Sequence, residues 1–329
     1  MKKLINDVET VLQESLDGFA AAHADIVALG PERQFVRRAA LKAGKVALIS
    51  GGGSGHEPLH AGFVGHGMLD AACPGQVFTS PTPNQMLAAA EAVETGAGVL
   101  FIVKNYSGDM MNFQMAAEML DRDNATVIVN DDVAVENSTY TTGRRGVAGT
   151  LIVEKVVGAA AERGDNLAAL KSLGDAVNKA TASMGVALTS CTVPAAGKPT
   201  FQIGADEMEM GVGIHGEPGR RRVKLASADD IAAELTGAVL KDLSLRPGQE
   251  VLLLVNGFGG TPALELYLMV NAAHKVLAGA GVKVARHLTG SYVTSLEMAG
   301  CSITVSALDA AQRALWDAPV RTAALRWGM

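Results

Sequence analysis

Aromatic residues make up only 4% of this 329-residue chain. So few rings do not build the stacking platforms on which single-stranded nucleic acid is held. Surplus positive charge is also missing: 28 Lys and Arg stand against 34 Asp and Glu, net −6, which excludes a broad phosphate-neutralising surface. There are three cysteines, Cys73, Cys191 and Cys301, far apart and without paired spacing. That usage fits a reducing compartment and no disulfide framework. No apolar run reaches the length of a membrane span, and acidic residues break up the amphipathic N-terminus MKKLINDVETVLQESL, so it has no signal-peptide core. The expectation is a cytoplasmic protein that engages neither nucleic acid nor membrane.

Nucleotide fingerprints are absent as well. The glycine-rich stretch GGGSGHEP at residues 51–58 fails G-x-G-x-x-G, because His56 stands where the third glycine belongs. It fails the nucleophile elbow G-x-S-x-G at the same residue, and no phosphate loop ending in Gly-Lys-Ser/Thr occurs anywhere. One fingerprint does match on letters: His56-Glu57-Pro58-Leu59-His60 fits H-E-x-x-H, with His66 at the spacing of a third zinc ligand. That motif works when both histidines project from one continuous helix. Here glycines and a serine precede His56, Pro58 separates the two histidines, and Phe63 replaces the glycine of the extended motif, so no metal site is expected.

What is present is hydrophobic content, 48% of residues, in a chain longer than one core usually serves. Residues 46–49 (VALI) read as a buried strand ending in the glycines, with Pro58 placed to open a helix. Thr82 reads as a helix N-cap, residues 99–103 (VLFIV) as a second buried strand, and 104–109 (KNYSGD) as the loop after it. A helix to about Leu120, a strand at 126–129 and the acidic pair Asp131-Asp132 follow, and Thr142-Gly143-Arg144-Arg145-Gly146 then leads into a long helix over 147–163. Later come strands at 186–191 and 208–214, the latter ending in His215-Gly216-Glu217-Pro218-Gly219. A capped helix from Ser227, a strand at 250–256 and a helix over 262–277 complete the regular pattern, before strands at 282–288 and 302–307 and a tail spanning Trp316 and Trp327. Strand–loop–helix alternation predicts an α/β fold with a mainly parallel N-terminal sheet flanked by helices. We expect two domains, residues 1–182 and a smaller α/β or α+β domain at 183–329, whose tail packs back on the first. The pairs Asp131-Asp132 and Arg144-Arg145 and the run Arg220-Arg221-Arg222 are expected to be solvated.

In α/β sheets ligands bind at the carboxyl ends of the strands. The glycine stretch, Lys104 and Asp109 all fall at such ends, and His215 follows a strand in the other half. Together they form a glycine cradle, a cation, a carboxylate and two histidines, suited to a small polar ligand between the two domains.

These segments resemble a known family. GGGSGHEP (51–58), CPGQVFTSPTP (73–83), KNYSGD (104–109), GRRGVAGT (143–150), CTVPAAGKP (191–199), GVGIHGEPG (211–219) and LWDAPVRTAALRWG (315–328) are similar to the dihydroxyacetone-binding subunit of the dihydroxyacetone kinases. The resemblance runs through essentially the whole chain; the segment between Gly219 and Gly248 is shorter than in some relatives. It implies a homodimeric subunit that holds dihydroxyacetone as a covalent hemiaminal on His215. Gly53, Ser54, Gly55, His56, Lys104 and Asp109 would contact the ligand, and His56 and Asp109 would share the acid/base work. No cofactor is implied in this chain. ADP or ATP with Mg belongs on a nucleotide-carrying partner subunit, recharged by a phosphoenolpyruvate relay subunit or by ATP. A kinase for the four-carbon ketose erythrulose and a non-catalytic triose-binding transcriptional co-regulator are the other readings the resemblance leaves open.

Overall fold

The computed structural model describes residues 2–134, 143–217 and 219–329; Thr142 and Pro218 lie outside the described residues. Helix α1 (Val11–Ala22) leads into the strands β1 (Val27–Leu29), β2 (Val36–Arg38), β3 (Ala47–Ser54), β4 (Gly65–His66) and β5 (Ala71–Val77). Helix α2 (Pro83–Val93), β6 (Val99–Lys104), α3 (Ser107–Met119) and β7 (Asn124–Val129) come next, then α4 (Gly149–Arg163) and α5 (Leu167–Lys179). The rest runs β8 (Thr181–Ala187), β9 (Glu207–Met210), β10 (Arg221–Lys224), α6 (Ala228–Leu243), β11 (Glu250–Gly257), α7 (Ala263–Gly279) and β12 (Lys283–Gly290). It ends with β13 (Gly300–Ser306), α8 (Ala310–Asp317), β14 (Val320–Thr322) and β15 (Arg326–Trp327).

The first sheet has the order β1-β2-β5-β3-β6-β7, and β5, β3, β6 and β7 run parallel, as the strand–helix alternation predicts. The second has the order β10-β9-β8-β13-β11-β12 and is antiparallel except for β11 and β12. The tail strand β14 pairs with β4, joining the end of the chain to its first half.

The central strands of both sheets are buried on both faces, which their continuous apolar runs require. In β11, Val251, Leu253 and Val255 enter a core with α6 and α7, while Leu252 and Leu254 enter the central core. In β6, Phe101 and Val103 pack toward α2 and α3, while Leu100 and Ile102 turn to the same central core. That core surrounds α4, which is buried from Gly149 to Ala161. Helix α4 therefore lies between the two sheets and ties them together.

Several elements differ from the reading above for physical reasons. Strand β3 does not stop at Gly51 but continues through Gly52 and Gly53 to Ser54, pairing with β5. A Cβ on Gly51 would stand 2.6 Å from the Cys73 carbonyl oxygen, so this glycine permits close strand approach, not a turn. Pro58 opens no α-helix. The backbone leading into it is held instead by a distant segment: Thr294 N–H donates to His56 O (3.2 Å), Thr294 Oγ1–H to Glu57 O (3.0 Å) and Leu296 N–H to Gly55 O (2.8 Å). Asp109 sits in the first turn of α3, not in a loop.

Strand β8 begins five residues before the predicted 186 start, because its buried polar residues are matched across the sheet, Thr181 with Ser306 and Ser183 with Thr304. The acidic pair is not solvated. Asp131 accepts from the N–H groups of Val147 (2.8 Å) and Gly149 (2.7 Å) at the start of α4, and Asp132 pairs with Arg145 (2.6 Å), itself buried. Arg144 pairs with Asp242 at the surface.

On α4, a Cβ at Gly158 would lie 2.4 Å from the Gly67 carbonyl oxygen and 2.5 Å from Met68 Cα, both backbone atoms. Gly158→Ala is predicted to lower stability by about 1–3 kcal/mol, as overpacking of a close-packed interior does. A shift of the denaturation midpoint to lower denaturant, at unchanged slope, checks it.

Candidate active site

The site starts from the glycines of β3. Alternation along the strand turns Ser50 and Gly52 to the central side, the side on which Lys104 emerges from the end of β6. A Cβ on Gly52 would stand 2.3 Å from Lys104 Nζ, so only glycine leaves room for that ammonium. Lys104 is completely buried. Its three donors meet Asp109 Oδ2 (3.3 Å), Gly51 O (3.3 Å) and His60 Nε2 (3.0 Å). Asp109, also buried, accepts a further short bond from Ser80 Oγ–H. A buried cation and carboxylate are tolerable only when paired in this way.

Two imidazoles form the opposite wall. His56 is fully buried and its Nδ1 lies 2.7 Å from Thr294 O. A carbonyl only accepts, so Nδ1 carries the hydrogen and Nε2 is left with a lone pair. That Nε2 has no protein partner among the described residues, and neither does His215 Nδ1. The rings of His56 and His215 meet edge to face with centroids 4.7 Å apart. Burial, reinforced by Lys104, pushes the His56 imidazole down to about 3. Burial likewise holds His215 well below the usual histidine range, with His56 and Lys104 adding to the effect. Both rings are therefore held uncharged at physiological pH.

His215 is held from behind. Its backbone N–H donates to Glu217 Oε2 (2.8 Å), and Glu217 pairs with Arg145 (3.2 Å), which also donates to Gly211 O (2.7 Å). Tyr106 stands edge-on to His215, centroids 4.2 Å apart, and Phe78 stacks on His56 at 5.1 Å. A cleft of about 510 Å³ lined by Phe78, Ser80, Tyr106, Ser107, Asn112 and His215 leads in from solvent.

Of the residues named from sequence, His215 lines this cleft, His56 lies against its ring, the buried Lys104–Asp109 pair lies close enough for Lys104 to disfavour a charge on either histidine, and Gly53 packs against the backbone of Phe78 and Thr79. Ser54 and Gly55 offer less than expected. The Ser54 hydroxyl donates to Gly75 O (2.7 Å), and the Gly55 N–H is taken by the Glu57 carboxylate at 3.0 Å. They support the wall rather than present donors to a ligand. His56 and His60 do not act as a pair, since His60 turns to Lys104 and Glu154. Sequence reading overlooked Ser80, Tyr106, Phe78 and Thr294. The first three lie in segments that carry the resemblance, and spacing alone does not point to the fourth.

A two-sheet α/β frame with neutral imidazoles, one cation and one carboxylate in a cleft defines a protein for small polar ligands. Residues 17–324 match the Dak1 domain, and the chain belongs to that family. It is 50% identical to PTS-dependent dihydroxyacetone kinase 1, dihydroxyacetone-binding subunit DhaK, of Listeria innocua serovar 6a, over 94% of this chain and 95% of that protein. It is 49% identical to the corresponding subunit of the PEP-dependent dihydroxyacetone kinase of Escherichia coli (strain K12), over the full length of both. Among solved structures, the dihydroxyacetone kinase of C. freundii superposes with a TM-score of 0.89 at 33% identity, covering 98% of this chain and 60% of that one. A dihydroxyacetone kinase operon co-activator superposes with a TM-score of 0.88 at 32% identity, covering 94% and 96%.

The depressed His56 has a consequence for stability. The unfolded chain binds a proton at this residue below pH 6.5 and the folded chain only below about 3, so stability is lost as pH falls through 6.5 and is unaffected above it. His56→Gln is predicted to make the pH dependence of stability between pH 4 and 6 shallower by up to about 1.4 kcal/mol per pH unit. Denaturation midpoints across that range test this.

Proposed function

We propose that this chain is the dihydroxyacetone-binding subunit of a dihydroxyacetone kinase. It holds the ketone covalently on His215 and presents a hydroxyl for phosphorylation by a nucleotide-carrying partner. The observation that carries this reading is the unpartnered, buried pair of nitrogens, His56 Nε2 and His215 Nδ1, beside Lys104 and Asp109. A neutral imidazole nitrogen attacks the carbonyl carbon, and the proton that the imidazole gives up ends on the former carbonyl oxygen. The product is a hemiaminal, with no other reactant required. Glycerol, which lacks a carbonyl, is rejected by chemistry rather than by size.

Phosphoryl transfer then requires the terminal hydroxyl to lose its proton as its oxygen attacks phosphorus. Asp109 and His56 Nε2 are the two acceptors at hand, and Lys104 is placed to donate to a ligand oxygen. The nucleotide and its Mg are assigned to the partner subunit. This is supported by the likeness to dihydroxyacetone-binding subunits, over 95% of the L. innocua one and the full length of the E. coli one. The identities near 50% to PTS- and PEP-dependent subunits support a partner recharged from phosphoenolpyruvate. They also favour the kinase subunit over the co-activator, at 32%, and a regulator has no use for the Asp109–His56 pair. Action in the cytoplasm and a homodimeric state belong to the same proposal.

Two substitutions separate the steps. Peptide mapping is predicted to find one triose on the peptide bearing His215 in wild type and none in His215→Ala. Asp109→Asn keeps the triose adduct but loses about 10²- to 10⁴-fold in turnover with partner and donor supplied. Wild-type turnover in His215→Ala would sink the covalent route.

A further inference from the structure

His60 came to notice as half of a zinc motif, and the reaction just described gives it no part. Yet it is buried between Lys104 and Glu154, an acid on the central helix α4 whose carboxyl burial pushes up to about 8. We propose that His60 and Glu154 form a buried positioning dyad that fixes the Lys104 ammonium, so that Lys104 can turn from Asp109 to the ligand without leaving its place. The inference deepens the functional reading above and rests on it.

The hydrogen-bond directions admit one arrangement. The Lys104 ammonium has donors only, so His60 Nε2 accepts from it at 3.0 Å. A neutral imidazole with an accepting Nε2 carries its hydrogen on Nδ1. That Nδ1 lies 2.7 Å from Glu154 Oε1 and 3.0 Å from Ser50 Oγ. Ser50 Oγ–H is directed at Ile102 O (2.6 Å), so the hydroxyl oxygen faces His60 as an acceptor. The tautomer is fixed from both sides, and burial keeps the ring neutral, well below the usual histidine range.

Of the three bonds that Lys104 donates, those to Asp109 and Gly51 are long, 3.3 Å each, and that to His60 is the shortest. All three donors are met by protein groups. For Lys104 to donate to a ligand oxygen, a long bond is given up, and giving up the one to Asp109 frees Oδ2 to receive the hydroxyl proton. His60 is then the fixed point of the exchange. Glu154 supplies the rigidity: it is completely buried on α4, whose own backbone is enclosed between the sheets. Its Oε2 has no hydrogen-bond partner among the described residues, while Oε1 holds His60 and the Ser50 hydroxyl lies beside the carboxyl. Removing a buried Glu154 contact leaves Lys104 reachable from solvent no more than before, but free to swing.

The experiment compares wild type, His60→Leu, His60→Gln and Glu154→Leu as full chains, each confirmed folded by thermal unfolding. Two readouts are taken: steady-state kinetics with the partner subunit and donor, and the ¹⁵N-lysine ammonium signal of Lys104, assigned by its loss in Lys104→Arg. The kcat of His60→Leu is expected to fall about 100-fold and that of Glu154→Leu about 10-fold, while KM and the triose adduct stay within about threefold, since misplacement of a reacting group by an ångström costs of this order. His60→Gln, whose amide can still accept from Lys104, restores most of the loss. A slowly exchanging Lys104 ammonium signal is expected in wild type and His60→Gln and is lost in His60→Leu. An absent signal in wild type, an unchanged signal in His60→Leu, or no rescue by glutamine overturns the dyad. Failure of wild type to form the adduct overturns the functional reading instead, and the ammonium signal then decides on His60 alone.

Discussion

A lysine ammonium with no exposed surface is the constraint around which this protein is arranged. Burying such a charge is tolerable only if each donor finds an acceptor and a counter-charge lies close. Lys104 meets that demand with Asp109, a backbone carbonyl of the glycine strand and His60. The same demand explains Gly52, where any side chain would occupy the ammonium's space. It also reaches the histidines: a nearby cation disfavours a second positive charge, which joins burial in keeping His56, His60 and His215 neutral. Neutral imidazoles are what proton acceptance and nucleophilic attack require.

The two sheets contribute different parts of this arrangement. The first brings the glycines, Lys104 and, through the start of α3, Asp109. The second brings the 291–298 loop, whose Thr294 carbonyl fixes the tautomer of His56 and whose backbone clamps residues 55–57. His215 follows β9 and is held by Glu217 and Arg145. Arg145 in turn lies between β7 and α4, paired with Asp132. Neither sheet has a complete site alone, and α4, enclosed between them, keeps their spacing.

Much of the fold was legible because local patterns and tertiary burial agreed. Residues 99–103 form the doubly buried strand their composition implies, Ser227 caps α6 through the Asp230 N–H at 3.2 Å, and the long apolar helix over 147–163 is α4 from residue 149. Reading failed where long-range bonds overrode local signals. Glycines that look like a turn continue a strand because β5 approaches closely, and the stretch before Pro58 is held by residues 294–296, far along the chain, with no helix following. Strand β8 was displaced because its buried hydroxyls look like surface residues until their partners on β13 are known. The principal side chains of the site were found through segments that resemble a family. Of the groups that orient them, Ser80 and Glu217 lie in those same segments, while Thr294 and Glu154 are joined to the site across the fold and carry no local mark.

The central claim is that a neutral His215 takes the ketone as a covalent adduct in a site built to keep its imidazoles uncharged. The most direct measurement is a ¹³C NMR spectrum of dihydroxyacetone labelled at its carbonyl carbon, bound to the wild-type protein. The account predicts that the bound carbon moves from the carbonyl region to that of a tetrahedral carbon bearing nitrogen and oxygen, and that His215→Ala abolishes this signal. A bound triose whose carbon keeps its carbonyl shift in wild type would contradict it.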